Sequence, residues 1–355
     1  MKRVGNLWPR LVRFENLLAA ASQAQRGKRF RRAVARFNFR LEPELFRLQE
    51  ELTAKTYRPG AFRSFQIYEP KVRTINAAPY RDRVVHHALT RVLEPIFERS
   101  FIFDSYACRR HKGTHAAVDR CQQFARKYRY VLKADIRKFF PSVDHEILLA
   151  LVARKIKDRD VLWLTRVLVE HSGEQEPVLD WFPGDDLFTP TERARGLPIG
   201  NQTSQFFGNV YLDPLDHFVK EELRIGGYVR YVDDFVLFSD DKAELHFARE
   251  SIKRFLGGLR LRLHPRKSEI FPVGQGIRFL GYRVFPSHRL LARENVWRFL
   301  RRVRRIQRDF TAGHISPADI RARLMSWAGH ARHANTFRLR TRLSKAIVFS
   351  RGGGR

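Results

Sequence analysis

The chain is 355 residues long and carries 68 Lys and Arg against 37 Asp and Glu, a formal net charge of +31. With 43% apolar and 12% aromatic residues it can bury more than one core, which excludes a disordered polyelectrolyte, and so large a basic excess points to a polyanionic partner. Lipid is the rival polyanion, but no apolar run approaches the ~20 residues of a spanning helix and no signal peptide is visible, so no membrane is expected and nucleic acid is favoured.

Residues from about 7 to 55 repeat apolar side chains at helical spacing, with Leu7, Leu11, Phe14, Leu17 and Leu18 first and Leu45, Leu48 and Leu52 later, which predicts a helical arm. The segment FRSFQIYEPKVRTINA reads as a hairpin turning at Glu69-Pro70-Lys71, and the apolar positions from Val84 to Phe97 as a helix. Cys108 and Cys121 form neither a ligand cluster nor a disulfide framework, so reduced thiols, no zinc and a cytoplasmic protein are expected. An apolar strand run, YVLKAD, then ends in Asp135. Residues 144 to 171 predict two helices, 172 to 195 a loop rich in Gly, Pro and Asp, and 201 to 223 a helix. That helix leads into YVRYVDDFVLFSD, where β-branched and aromatic residues flank Asp233 and Asp234 as strand, tight turn and strand. A helix over 241 to 256 and strands around 259 to 263 and 277 to 285 complete an α+β lobe. Beyond it, residues 289 to 308 carry eight arginines while Val296, Leu300, Val303 and Phe310 keep an apolar stripe, so Arg301, Arg304, Arg305 and their neighbours form a basic face suited to a phosphate backbone.

The chemistry concentrates on the acids. Two carboxylates held side by side among Tyr, Val and Phe repel each other and raise each other's pKa, a strain that a bound divalent cation relieves. Asp135, at the end of a second apolar strand, supplies a third carboxylate. Two strands delivering acids to one point is the layout of a two-metal phosphoryl-transfer site.

Taken together, these residues resemble a reverse transcriptase along nearly the whole chain. The resemblance implies an α+β right-hand polymerase fold: an N-terminal helical arm and fingers over 1–130, a palm of antiparallel sheet plus helices over 131–288, and a basic helical thumb over 289–355. Tyr231-Val232-Asp233-Asp234 matches the family's Tyr-x-Asp-Asp box and Asp135 the first palm acid, implying that Asp135, Asp233 and Asp234, with the carbonyl of Ile136, hold two Mg²⁺ ions, for which Mn²⁺ can substitute. Phe140 matches the ring that rejects the ribose 2′ hydroxyl, Lys71 and Arg73 the residues gripping the incoming triphosphate, and Phe279-Leu280-Gly281-Tyr282 the strand supporting the primer end. In the loop beneath the nucleotide, most of the family has Gln-Gly and then Ser-Pro, whereas this chain reads Leu197-Pro198-Ile199-Gly200-Asn201-Gln202-Thr203-Ser204-Gln205. Ile199 replaces the Gln and Gln205 the Pro. Ser204 and Gln205 open a helix there and either cap it or contact the template.

That loop, together with Ser326-Trp327-Ala328-Gly329-His330 and His111-Lys112-Gly113-Thr114-His115-Ala116, resembles the reverse transcriptases of diversity-generating retroelements. The expected function is error-prone, adenine-mutagenised cDNA synthesis from a template-repeat RNA and dNTPs, on an RNA–DNA duplex, beside a small accessory variability determinant protein. Retron, group II-like and phage-defence reverse transcriptases share parts of the pattern and stay open, as does a non-catalytic RNA-binding scaffold, which the presence of all three acids argues against.

Overall fold

The computed structural model describes residues 2–68, 72–172 and 177–350. Its organising element is a four-stranded antiparallel sheet built from β3 (Tyr130–Asp135), β4 (Gly227–Tyr231), β5 (Asp234–Ser239) and β6 (Glu269–Pro272), ordered β4-β5-β3-β6; β1 (Arg63–Ile67) and β2 (Arg73–Ala77) precede it as a separate hairpin. Successive side chains on a strand point to opposite faces, and here both faces are apolar. Leu132, Ala134, Tyr228, Phe235 and Leu237 face one core, where they join Leu245, Ala248, Ile252 and Leu256 of the helix Lys242–Gly258. Val131, Val229, Val236 and Phe238 face a second core with Ala117, Val118, Cys121 and Phe124 of the helix Thr114–Lys127. The sheet is therefore clamped between helices, and the strand ends that carry the acids are fixed by packing on both sides.

The predicted N-terminal arm forms four helices, Trp8–Val12, Phe14–Ala24, Arg32–Phe39 and Leu41–Thr53. Their buried residues Leu11, Leu17, Leu45, Leu48 and Leu52 belong to the first core, continuous with the sheet, while Leu18 faces outward. The helix Tyr80–Glu98 bridges arm and sheet by packing against both Phe14–Ala24 and Gln202–His217. Every residue of β1 is exposed, so the hairpin projects from the body as an arm of backbone pairing. Its turn, with Lys71, lies outside the described residues.

Both predicted helices over 144–171 form, at His145–Ala153 and Arg159–Glu170, each with an aspartate N-cap, Asp144 and Asp158. The helix Gln202–His217 continues into a π-helical turn, Phe218–Glu222, before β4. The strand expected around 259–263 does not form. Arg260 has a φ of 53°, which breaks extension, and Leu263 makes only an isolated bridge to Ile136. The fourth strand is β6 instead.

A three-stranded antiparallel sheet follows, β7 (Ile277–Phe279), β8 (Tyr282–Val284) and β9 (Arg289–Leu291). Arg289 is thus a strand residue, and the arginine-rich helix runs Arg293–Thr311. That helix buries Phe299, Val303 and Ile306, with Val296, Leu300 and Phe310 half-buried, and leaves Arg301, Arg302, Arg304, Arg305 and Arg308 exposed. Phe299 stacks on Trp327 of the helix Pro317–Ala331 at 3.8 Å between ring centroids, and the helix Phe337–Ala346 completes the region. The architecture is the mixed helix and antiparallel sheet expected. No helix among the described residues is long and apolar enough to cross a membrane.

Candidate active site

β4 and β5 meet in a two-residue turn, Val232-Asp233, with Tyr231 paired to Asp234 at the last rung. Val232 has a φ of 57°, in the left-handed region that a β-branched residue enters only at a cost of about 1–3 kcal/mol. Both turn carbonyls are held: Arg230 Nη1 donates to the Val232 oxygen at 3.2 Å, and the Ile136 N–H donates to the Asp233 oxygen at 3.1 Å. On the other side of β5, Asp135 pairs directly with Asp234. Register between antiparallel strands puts directly opposed Cβ atoms about 5 Å apart, so the two carboxylates confront each other across the ladder. The chain after Asp135 is fixed as well, because the His264 N–H donates to the Asp135 carbonyl at 2.7 Å and the Arg137 N–H to the Arg262 carbonyl at 2.9 Å.

Electrostatics follow from this crowding. Burial pushes the Asp233 carboxyl above the usual range and the charge of Asp135 adds to it, while Lys267 and Arg73 pull it down. Asp234 is pushed up to about 7, first by burial and then by Asp135 and Asp233, against the pull of Lys133. Lys267 Nζ donates to Asp135 Oδ1 at 2.8 Å. Lys133 Nζ stands 3.6 Å from Asp234 Oδ1, too far for a hydrogen bond, and that buried oxygen has no hydrogen-bond partner.

The three carboxylates are hard oxygen donors of the kind Mg²⁺ and Mn²⁺ select, and an orphaned buried carboxylate oxygen facing two like charges is what such an ion would satisfy. The residues fit. Among the described residues, however, no three His, Cys, Asp or Glu side chains are gathered tightly enough to grip an ion as they stand. One oxygen of Asp135 is already paired with the Lys267 ammonium.

Around the acids, Phe140 follows its neighbour Phe139 in a short helix, Phe139–Ser142, entered through Lys138 at φ 46°. Phe139 is fully buried, whereas Phe140 is half-buried with its ring 5.2 Å from that of Phe139. The Phe140 carbonyl accepts from the Leu197 N–H at 2.8 Å, which ties the ring to the loop carrying Ile199 and Gly200. Gly200 has a φ of 115°, and a Cβ there would stand 3.1 Å from Ile75 Cγ2 on β2. The arm therefore reaches over this loop, and Arg73, at the start of β2, is close enough to lower the pKa of Asp233. Ile199 is half-buried.

Two residues expected at template and primer are buried. Ser204 is 2% exposed inside the helix Gln202–His217, whose N-cap is Asn201, so it does not cap the helix. Its neighbour Gln205 is exposed and accepts from the Cys108 thiol at 3.3 Å. Tyr282 is 0% exposed, and its hydroxyl donates to the His330 carbonyl at 2.8 Å. Gly281, at the β7–β8 turn with φ 88°, is held by Asn295 Nδ2 donating to its carbonyl at 2.8 Å, and a Cβ would stand 2.6 Å from that same nitrogen.

Sequence reasoning missed Lys267, Lys133 and the buried Arg230. Lys133 had a signal, since it shares a strand with Asp135. Arg230 had a stronger one: a cation inside the apolar run GYVRYV needs a buried acid. It finds Asp216. The Tyr231 hydroxyl also accepts from Thr114 Oγ1 at 3.2 Å, which brings the segment Thr114-His115 to the hairpin.

Half-buried acids opposed on adjacent strands, with basic groups around them, make this the candidate site of the chain. The chain matches the reverse transcriptase (RNA-dependent DNA polymerase) family over residues 66–284, more than half of its length, and it belongs to that family, whose enzyme class is RNA-directed DNA polymerase. Among particular relatives, it is 28% identical over 292 residues to protein YkfC of Escherichia coli (strain K12), covering 69% of this chain and 72% of that protein. It is 23% identical over 307 residues to the group II intron-encoded protein LtrA of Lactococcus lactis subsp. cremoris, covering 68% of this chain and 49% of LtrA. The chain thus spans about half the length of that intron-encoded relative. Among solved structures, apo telomerase from Candida tropicalis, truncated from its C-terminal domain, aligns over 68% of this chain and 59% of its own with a TM-score of 0.46 and 13% identity.

Proposed function

We propose that the chain copies RNA into DNA at the site formed by Asp135, Asp233 and Asp234. The observation that carries this reading is the direct pairing of Asp135 with Asp234 beside a turn bearing Asp233, where burial and mutual charge hold two carboxyls above their usual range. In the reaction, the primer 3′ oxygen forms a bond to the α-phosphorus of a dNTP, the α–β phosphoanhydride bond breaks, and pyrophosphate leaves. Bound at the three acids and the Ile136 carbonyl, two Mg²⁺ or Mn²⁺ ions would supply charge neutralisation and lower the pKa of the attacking hydroxyl. Binding them requires Lys267 to release Asp135.

The chain's own groups do the positioning. Arg73 presents positive charge above Asp233, where a triphosphate carries its negative charge, and Lys71 belongs to the same arm. The half-buried ring of Phe140 narrows the space next to the acids, so that a 2′ hydroxyl clashes. Gly200 keeps the loop clear of a side chain, and Ile199 offers a nucleotide only apolar contact. The exposed Gln205 meets the template and the half-buried Gly281 supports the primer, while Arg301, Arg304 and Arg305 grip the duplex backbone without reading sequence. In this reading, residues 1–130 hold arm and fingers, 131–288 the palm, and 289–355 the thumb.

The finer reading is mutagenic copying of a template-repeat RNA in a diversity-generating retroelement, with an accessory variability determinant protein as partner. It rests on Ile199 and Gln205 standing where Gln and Pro are usual. A group II-like role is the second reading, favoured by the similarity to the intron-encoded LtrA. Sequencing cDNA made by the purified protein from a defined RNA, with dNTPs and Mg²⁺, tests both: errors concentrated opposite template adenine support the first, uniformly low errors the second. No cDNA at all under any divalent metal would overturn the polymerase reading.

A further inference from the structure

Directly beneath the turn that carries Asp233 lies a charge that takes no part in the proposed reaction. Arg230 and Asp216 are both 0% exposed, and the guanidinium grips the carboxylate through two hydrogen bonds, Nε to Oδ1 at 2.6 Å and Nη2 to Oδ2 at 2.5 Å. Asp216 also accepts from the Tyr228 hydroxyl at 2.8 Å. The remaining donors are assigned too. Nη2 donates to Ser105 Oγ at 3.1 Å, and Nη1 donates to Asn209 Oδ1 at 3.3 Å and to the Val232 carbonyl at 3.2 Å. The backbone of Arg230 is held in the same way, its N–H donating to the Asp104 carbonyl and its carbonyl accepting from the Tyr106 N–H, both at 2.9 Å.

A buried ion pair is weak as a source of stability, because desolvation offsets most of the attraction, and apolar residues of similar volume often serve as well. What an apolar pair cannot do is donate to the Val232 carbonyl. That carbonyl belongs to the residue with the left-handed φ, the one backbone position in the turn that a β-branched side chain disfavours. The guanidinium is planar and rigid, and its geometry is fixed by Asp216 and Asn209, which share one helix. It therefore transmits the position of the helix Gln202–His217 to the turn.

We propose that Arg230, oriented by Asp216 and Asn209, is the positioning residue that holds the Val232-Asp233 turn in the conformation aiming the two carboxylates at the reacting phosphate. The inference rests on the reading of Asp233 and Asp234 as catalytic. A turn that relaxes moves those carboxylates, and a misplacement of about 1 Å at a reacting centre costs on the order of 100-fold in rate.

The test uses the full chain in primer extension on RNA. Two variants are made in parallel: the double variant Arg230→Met with Asp216→Leu, which keeps volume without charge, and Arg230→Lys, which keeps charge without the fork. Each is expected to bind primer–template RNA as the parent does and to keep its dNTP KM within about threefold, while kcat falls by about 100-fold. Adding Val232→Gly, which adopts positive φ freely, should restore at least tenfold of the lost kcat, a rescue that a merely structural role does not give. The inference is overturned if either folded variant keeps kcat within threefold of the parent, or if Val232→Gly restores nothing. Should the double variant fail to fold, Arg230→Lys with and without Val232→Gly decides alone. Asp233→Ala in the same assay separates the two claims: if that variant extends primers, the catalytic reading fails, whereas an inactive Asp233→Ala beside fully active Arg230 variants sinks only the positioning role.

Discussion

Asp234→Asn should stabilise the metal-free protein, and by an amount that depends on pH. The Asp234 carboxyl is pushed from an ordinary 3.8 up to about 7 by burial and by two neighbouring carboxylates, so the folded state holds a proton that the unfolded state has lost between those values. The sign follows: the native protein binds more protons across this window, and its stability falls as pH rises from about 4 to about 7. At 1.36 kcal/mol per tenfold change in proton affinity, ionising this one group costs about 4 kcal/mol at neutral pH and above, an upper figure because water reaching the carboxylate screens the repulsion. The asparagine variant escapes that cost. Urea unfolding in EDTA should show parent and variant equal near pH 4 and the variant more stable by up to about 4 kcal/mol at pH 8, where saturating Mg²⁺ should return most of the loss to the parent but not to the variant. An equal gap at both pH values, or a gap of opposite sign at pH 8, would refute the buried repulsion on which the site rests.

Three further outcomes bear on the same surface. Phe140→Ala should admit ribonucleotides, and because the ring is only half-buried it should cost less than the roughly 3–5 kcal/mol of a fully buried Phe; a variant that still excludes rNTPs while losing the full amount assigns the ring to packing. Replacing Arg301, Arg304 and Arg305 together by Gln should reduce the slope of log affinity for an RNA–DNA duplex against log salt by about 0.7–0.9 for each phosphate that these side chains neutralise, and equal slopes would place the exposed arginines off the duplex. Ile199→Gln should lower misincorporation opposite template adenine several-fold more than opposite other bases, since an amide adds directional hydrogen bonding; an unchanged adenine error in an active variant would shift the cause to Gln205 or to the partner protein.

Much of the scaffold was legible because local pattern and tertiary burial agreed. In YVRYVDDFVLFSD the β-branched and aromatic residues predict strand, tight turn and strand, and in the fold Tyr228, Phe235 and Leu237 face one core while Val229, Val236 and Phe238 face another. Asp135 and Asp234 were readable as strand-end acids, though not as direct cross-strand partners, since register is a long-range property. Burial is a long-range property too. Ser204 and Tyr282 were placed on nucleic acid by their position in motifs, and only the packing of the helix Gln202–His217 and of His330 over β8 turns them inward. Lys267 comes to Asp135 after the coil that replaces the expected strand around 259–263, in which Arg260 has a positive φ.

The central claim is that Asp135, Asp233 and Asp234 form one catalytic site, and its most direct measurement is single-nucleotide primer extension on RNA with dNTPs and saturating Mg²⁺, run on Asp135→Ala and Asp233→Ala with RNA affinity measured on the same preparations. Each variant should lose extension entirely while binding RNA as the parent does, because affinity resides in phosphate contacts elsewhere. Extension by either variant at near the parent's rate would contradict the account.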